Sequence, residues 1–429
     1  MEFRYYGNAC FSIIHKGIHI LCDPWLDAPA VASGWEKFPP SKVRAKDIAD
    51  IDYIYISHIH SDHCEPQTLA VLDKNIPVIA IDRQPDFLER MIRAAGFKNL
   101  IMIREGRPQK ICVGLAVEVF GVSTPHICAE VIDSSAMFDF GDRLVLNCND
   151  NQPSEEFCKG LAERYGSIDL ALLPAGGGSG YPAMYSNLSE DEKESIANDA
   201  INKFTRSFVT AVDVLAPRVV VPVAGGFMIR GKHASYVNRF QVKRTDLTPL
   251  VEEYRQCGIH SPEDVQITPM QADMVLDVDS RSVTVGTYQV WSEGELEAYW
   301  QELSKIDVKG QISTTSPYRR WWALLDLARA NLWEKQKNYQ MLPNYRVYLN
   351  VNDQLVEISL SDQGTKMVDK VDERAGPHMI LTLSQDTFIE WMLGFEDFNM
   401  LDSGHRIQFY REPNVYVVEA YYLMSLLRI

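Results

Sequence analysis

The 429-residue sequence contains no CxxC pair, and its eight cysteines are scattered with no disulfide-like rhythm. Most lie in strand-like apolar runs, so reduced thiols and a cytoplasmic setting are expected. No apolar run approaches the roughly 20 residues of a membrane span. The opening MEFRYYGNACFSIIHKG has no basic stretch followed by an apolar one, which predicts no signal peptide. Basic charge is also scarce: 42 Lys and Arg stand against 58 Asp and Glu, a formal net charge of −16. Nonspecific binding to a polyphosphate needs a net basic surface, so nucleic acid is excluded as a general partner. An anionic small substrate remains compatible, because only the local field of a pocket matters there. Internal repeats and low-complexity segments are lacking as well. What remains is 46% hydrophobic and 23% charged, enough to bury a substantial core.

The first 150 residues alternate short strands with turns, at Glu2–Tyr6, Phe11–His15, Ile18–Cys22, Tyr53–Ser57, Val78–Ile81, Ile111–Phe120 and Arg143–Cys148. A helix-period segment, Pro85–Ala95, sits among them. Helix Ser154–Tyr165, strand Ile168–Leu173, a long helix Glu190–Leu215 and strand Arg218–Val223 follow. Hairpins early and αβ units later predict helices layered on sheets. Past Gly286 the pattern changes. Residues 293–345 read as a helical connector after a first domain of 1–292. Residues 346–429 read as a small α+β unit, with strands at RVYLNVN, LVEISLS and HMILTLS, a helix at Thr387–Leu393, and a last strand pair near RIQFYRE and VYVVEAYYL. Its many aromatics, among them Tyr348, Trp391 and Phe409, exceed what so small a sheet can bury alone. That unit is expected to pack on the main domain, to close its pocket or to form a homodimer.

The run His58-Ile59-His60-Ser61-Asp62-His63 follows the strand YIYIS and precedes a helix. Alternation along an extended segment points His58 and His60 to one side, and the turn then lets Asp62 and His63 approach a second nearby position. Imidazole and carboxylate suit zinc, iron or manganese alike. Three histidines and an aspartate in six residues are hard to read as an ordinary polar loop. A two-metal site needs further ligands from other strand ends. His126, in VSTPHIC, and Asp150, ending LVLNCND, are the candidates, with Asp150 able to bridge two metals. Glu130 and Asp133 stand close enough to replace His126. His233, after VVVPV and a glycine pair, is a candidate seventh ligand or substrate contact. Asp62, Asp150 and His233 are the candidates for direct participation in catalysis. Asp23, in CDPWL, is placed to orient a metal-bound histidine through its ring N–H.

HxHxDH after a strand, with a later histidine and aspartate, resembles the metallo-β-lactamase superfamily. The resemblance implies an αββα four-layer sandwich with metals at one edge of the paired sheets. In that pattern His58, His60 and His126 bind the first metal, Asp62 and His63 the second, and Asp150 bridges. The segments DPWLDAPAVASGW, YISHIHSDH, AGGGSGYPAMYSN, VAGGFMIRGKH and FYREPNVY look like the lactamase-type portion of CMP-sialic acid (CMP-N-acetylneuraminate) hydroxylases. Those enzymes also carry a Rieske iron–sulfur domain, which needs paired C-x-H and C-x-x-H motifs. This sequence has no C-x-H, and its single C-x-x-H, Cys257 to His260, has no partner pair. An iron-dependent hydroxylase supplied by a separate ferredoxin or reductase is the expectation. The alternatives are a zinc-type hydrolase acting through metal hydroxide, and a lactamase fold kept as a scaffold.

Two segments are expected to serve substrate. In GGGSGYP, the backbone N–H groups around Gly177, Gly178 and Ser179 can cradle an anion. Arg230, Lys232, His233, Arg239, Lys243 and Arg244 form a basic cluster in an acidic chain, suited to a phosphate or carboxylate such as a nucleotide sugar carries.

Overall fold

The computed structural model describes residues 1–84, 86–121, 133–241, 245–257, 264–310, 312–314, 321–372 and 376–429. Short apolar strands separated by tight turns build two large sheets. The first has eight strands. In spatial order they are Ser282–Val285, Met274–Asp277, Glu2–Gly7, Cys10–His15, Ile18–Cys22, Tyr53–Tyr55, Val78–Asp82 and Leu100–Arg104. Antiparallel hairpins at its start give way to parallel pairing from Ile18–Cys22 onward. The second has seven strands. Its order is Gln266–Ile267, Val219–Val223, Leu170–Pro174, Leu144–Asn147, Ser135–Asp139, Leu115–Phe120 and Gln109–Cys112.

Alternation along the strands sorts side chains into layers. Phe3, Phe11, Ile13 and Ile54 of the first sheet share one core with Val117, Phe138, Val145 and Leu170 of the second. On the outer face of the second sheet, Leu146, Ala171 and Val220 meet Leu161 of helix Glu155–Tyr165 and Phe208 and Val212 of helix Glu190–Leu215. Helices Pro66–Val71 and Phe87–Ala94 bury Leu69, Leu88 and Ile92 against the other sheet. The result is the expected αββα sandwich. The expected single strand Ile111–Phe120 is a hairpin broken at Val113 and Gly114, where the chain turns at a glycine φ of +87°. The strands Met274–Asp277 and Ser282–Val285, not foreseen, return to pair beside Glu2–Gly7.

A third sheet of five strands follows: Thr365–Val368, Gln354–Ser359, Arg346–Val351, His378–Leu383 and Gln408–Glu412. One expectation fails here. VYVVEAYYL does not supply a strand; Val418–Leu426 is a helix. Its β-branched and aromatic residues suggested a strand, yet Ala420, Tyr421, Leu423, Met424 and Leu427 are all buried, at helical spacing. The unit is joined to the sandwich by close backbone contact. Trp35 donates its indole N–H to the Ser403 carbonyl at 2.7 Å, and Ser186 and Phe409 bridge the two parts through backbone hydrogen bonds. Glycine at both Gly34 and Gly404 permits this approach, since a Cβ on Gly34 would enter the Gly404 backbone. Among the described residues no helix is long and apolar enough to cross a membrane, and the seven cysteines there are all free.

Candidate metal centre

The strand Tyr53–Tyr55 delivers Ser57 and His58 to the sandwich edge, and the chain then turns sharply. His63 N–H and Cys64 N–H both bond to the His60 carbonyl. Glu65 stops the turn by capping helix Pro66–Val71, accepting from the N–H groups of Gln67 and Thr68, with proline at the first helical position. Thr68 Oγ1 in turn accepts from the N–H groups of Leu26 and Asp27, tying the turn to the loop that follows Asp23. From the second sheet, Leu144–Asn147 leads into a bend at Asn149, whose φ is +42°. That left-handed residue bonds Asn147 Oδ1 through its own N–H, and its Oδ1 accepts from the Asp150 N–H, which aims Asp150 back toward the histidines. Ser134 Oγ donates to the Ser57 carbonyl at 2.7 Å and so pins the two sheets together beneath the cluster.

The histidine rings crowd one another. His58 and His63 have ring centroids 4.0 Å apart, and His58 Nε2 lies 3.1 Å from His60 Nδ1. Two groups of potential ligand atoms share His58: one with His60 and Asp133, the other with His63 and Asp150. His58 Nε2 is 3.5 Å from Asp133 Oδ1, and His63 Nε2 is 3.2 Å from Asp150 Oδ2 and 3.3 Å from Asp62 Oδ2. Asp23 is fully buried. It accepts from Ser57 N–H at 2.7 Å, from Ser57 Oγ at 2.9 Å and from His63 Nδ1 at 3.0 Å. This fixes the face that His63 turns to the cluster. Asn8 was not foreseen. It sits in the first hairpin turn with φ +55°, donates to Asp62 Oδ2 at 2.8 Å, and accepts from Gly225 N–H at 3.0 Å. A Gly-Asn turn was legible as a turn, but nothing local showed that it faces Asp62.

Electrostatics follow from the crowding. Burial, then the neighbouring His63 and His60, hold His58 well below the ordinary imidazole range, so it is neutral and has a lone pair to offer. Burial opposes charge on His63 too, but Asp150, Asp62 and Asp23 outweigh it and raise its pKa well above the usual value. Loss of water, reinforced by Asp150, lifts Asp133 to about 6. Asp150 Oδ1 is buried without a hydrogen-bond partner, and His63 Nε2 faces the Asp62 and Asp150 carboxylates without a well-aligned hydrogen bond to either. Such groups are costly unless something else occupies them, and an all-nitrogen-and-oxygen donor set fits a divalent metal.

The structure brings together His58, His60, Asp62, His63, Asp133 and Asp150, with Asp23 behind them. His126 and Glu130 lie outside the described residues, as do Lys243 and Arg244. His233 joins neither ligand group. The short strand Phe227–Ile229, which pairs with Trp35–Lys37, stands between the end of strand Val219–Val223 and His233. His233 lines a separate cleft with Arg230 and Lys232. The glycine run is also closely packed: a Cβ on Gly177 would meet Phe204, and one on Gly178 would run into the Trp35 ring. The Ser179 hydroxyl accepts from the Tyr181 N–H.

Fold and edge cluster together define a metallo-β-lactamase-fold protein, and a model of the beta-lactamase superfamily domain matches residues 2–142. Within that class the sequence is similar to the cytidine monophosphate-N-acetylneuraminic acid hydroxylase of Asterias rubens, 27% identical over 271 residues, which are 59% of this chain and 39% of that protein. It is also 29% identical over 190 residues to a Mycolicibacterium smegmatis protein described as a Rieske 2Fe-2S iron-sulfur protein, covering 43% of this chain and 36% of that one. The chain thus spans about two fifths of the length of these relatives. A solved metallo hydrolase from Ignicoccus hospitalis is similar at TM-score 0.45 and 18% identity, over 64% of this chain and 97% of that one.

Proposed function

We propose that this chain is the metal-binding catalytic part of a hydroxylase that oxidises an anionic small molecule with electrons from a separate iron–sulfur protein or reductase. The observation that carries the reading is the pair of ligand groups meeting at His58, built from imidazole and carboxylate alone, with Asp150 Oδ1 buried and without a hydrogen-bond partner. His58, His60 and Asp133, joined by His126, would hold one metal. His63, Asp62 and Asp150 would hold a second, with Asp150 able to reach both. Iron in this position supplies dioxygen activation; zinc or manganese would suit the same donors. The protein's own share is positional. Asp23 and Ser57 fix the His63 ring, Asn8 fixes Asp62, and the Asn149 bend aims Asp150. Similarity to hydroxylases and Rieske proteins supports oxidation over hydrolysis. The missing C-x-H motif supports an electron donor outside these residues. In this reading residues 1–292 form the metal-binding domain, 293–345 connect, and 346–429 close the substrate region, in a cytoplasmic setting.

The test is turnover of an anionic substrate with and without oxygen. The purified protein is expected to contain iron and to consume dioxygen only with both substrate and an external reductant. Turnover under strict anaerobiosis without reductant would instead establish a hydrolase.

A further inference from the structure

Between the sandwich and the C-terminal sheet lies a cleft of about 930 Å³. None of its lining residues belongs to the metal cluster. Its volume is at the upper end of what small-molecule sites occupy, ~300–1,000 Å³. The chain as a whole is strongly acidic, yet this cleft is lined by Lys193, Arg230, Lys232, Lys305, Lys309 and Arg406, against the carboxylates of Asp307 and Asp386.

Two of these cations are under-used. Lys193, on helix Glu190–Leu215, is only 6% exposed, yet no carboxylate lies within ion-pair distance of it among the described residues. Its ammonium donates to the Tyr236 hydroxyl at 2.6 Å, and that hydroxyl donates onward to Glu190. Burial depresses the pKa of this ammonium, and the charge of Glu190, one hydroxyl away, offsets that only in part. Arg230 spends one side of its guanidinium on Glu36 at 2.9 Å, while its Nε is buried without a partner. An ammonium and a guanidinium on two separate elements, both belonging to residues that line one cavity, form a receptor for negatively charged oxygen. The opposite wall comes from the C-terminal unit, which contributes Thr382, Ser384 and Arg406. Arg406 is itself braced by Glu390 at 3.2 Å and by Thr387.

We infer that this cleft binds a multivalent organic oxyanion, with Lys193 and Arg230 taking its charged head and the C-terminal wall taking its polar body. This deepens the substrate part of the proposed function and rests on that reading only for the identity of the ligand as substrate. Phosphate and polycarboxylate share the required chemistry, so inorganic pyrophosphate and citrate serve as the two probes. Calorimetric titration of the full-length protein as purified is expected to show saturable binding of at least one of them, weakening with salt; whichever binds more tightly names the source. Lys193→Met and Arg230→Met should each weaken binding about tenfold or more, the loss typical of a charge-assisted hydrogen bond. Lys232→Ala, at an exposed position that the fold does not need, should weaken it severalfold. Lys16→Ala, remote from the cleft, should leave it unchanged. Absence of binding by both probes, or equal binding by all the variants, would overturn the inference. Metal content and oxygen dependence are measured separately, so failure of the cleft is distinguishable from failure of the hydroxylase reading.

Discussion

Asp23→Asn isolates the contact that orients His63. The carboxylate accepts three hydrogen bonds, from Ser57 N–H, Ser57 Oγ and His63 Nδ1. An asparagine of the same shape can keep its oxygen on the Ser57 N–H, but its NH₂ then faces the Ser57 hydroxyl and His63 Nδ1. Two donors cannot share that space, so the imidazole must carry its proton on Nε2. That is the nitrogen pointing at Asp62 and Asp150, where a metal needs a bare lone pair. Loss of such an orienting partner typically weakens metal binding ~10–100-fold, about 1.4–2.7 kcal/mol. Folding stability should change less, because burial already raises the Asp23 pKa and so disfavours its charge. Chelator competition with metal content read by mass spectrometry measures the first quantity, and thermal unfolding of metal-free protein the second. In a His63→Ala background the substitution should have almost no further effect on metal binding. Unchanged metal affinity in Asp23→Asn, or full additivity with His63→Ala, would refute the reasoning.

Removing a ligand outright should go further. His58→Ala, which breaks both ligand groups, and Asp150→Ala should lose bound metal and activity while circular dichroism stays native, because these side chains end loops at the sandwich edge. Metal affinity should also climb with pH. The raised pKa of His63 means that in the metal-free site a proton occupies the nitrogen the metal needs; affinity is therefore lower at pH 6 than at pH 8, and a pH-independent chelator competition would contradict this. Gly178→Ala should destabilise the fold by about 1–3 kcal/mol, because its methyl group must displace the Trp35 ring, which is stacked on Phe227 at 3.5 Å; denaturant titration reads the loss.

What the sequence made legible is what is contiguous along the chain. His58, His60, Asp62 and His63 fall within six residues, so strand alternation followed by a turn is enough to gather them. Asp150 was reachable because it ends a strand run, and Asp133 because it stands near His126 in the sequence. The supporting contacts are different in kind. Asn8 reaches Asp62 across 54 residues and Ser134 reaches Ser57 across 77, and an asparagine or serine in a turn has a sufficient local explanation already. The same limit explains His233. Its neighbours in sequence suggested a strand end at the metal edge, but a three-residue strand intervenes and pairs with Trp35–Lys37 instead.

The C-terminal unit shows where composition misleads and what replaces it. Val417, Val418, Tyr421 and Tyr422 favour a strand taken alone, yet the segment has to cover Phe398 and Phe409 from one side while meeting helix Trp322–Tyr339 on the other. A helix presents buried residues all round, and this one nearly does: Ala420, Tyr421, Leu423 and Met424 are buried. Tyr421 then also places its hydroxyl 2.5 Å from that of Tyr185, in the sandwich, and accepts from Arg411 at 3.0 Å. Arg411 is 3% exposed and lies over the rings of Tyr181 and Tyr185 as well as Tyr421. Tyr181 and Tyr185 belong to the segment that continues the glycine run at the end of strand Leu170–Pro174, so the helix anchors the third sheet to the same edge of the sandwich that carries Asp150. Tertiary demand overrides local propensity at this helix because it serves three neighbours at once, and only one of them is near it in the chain.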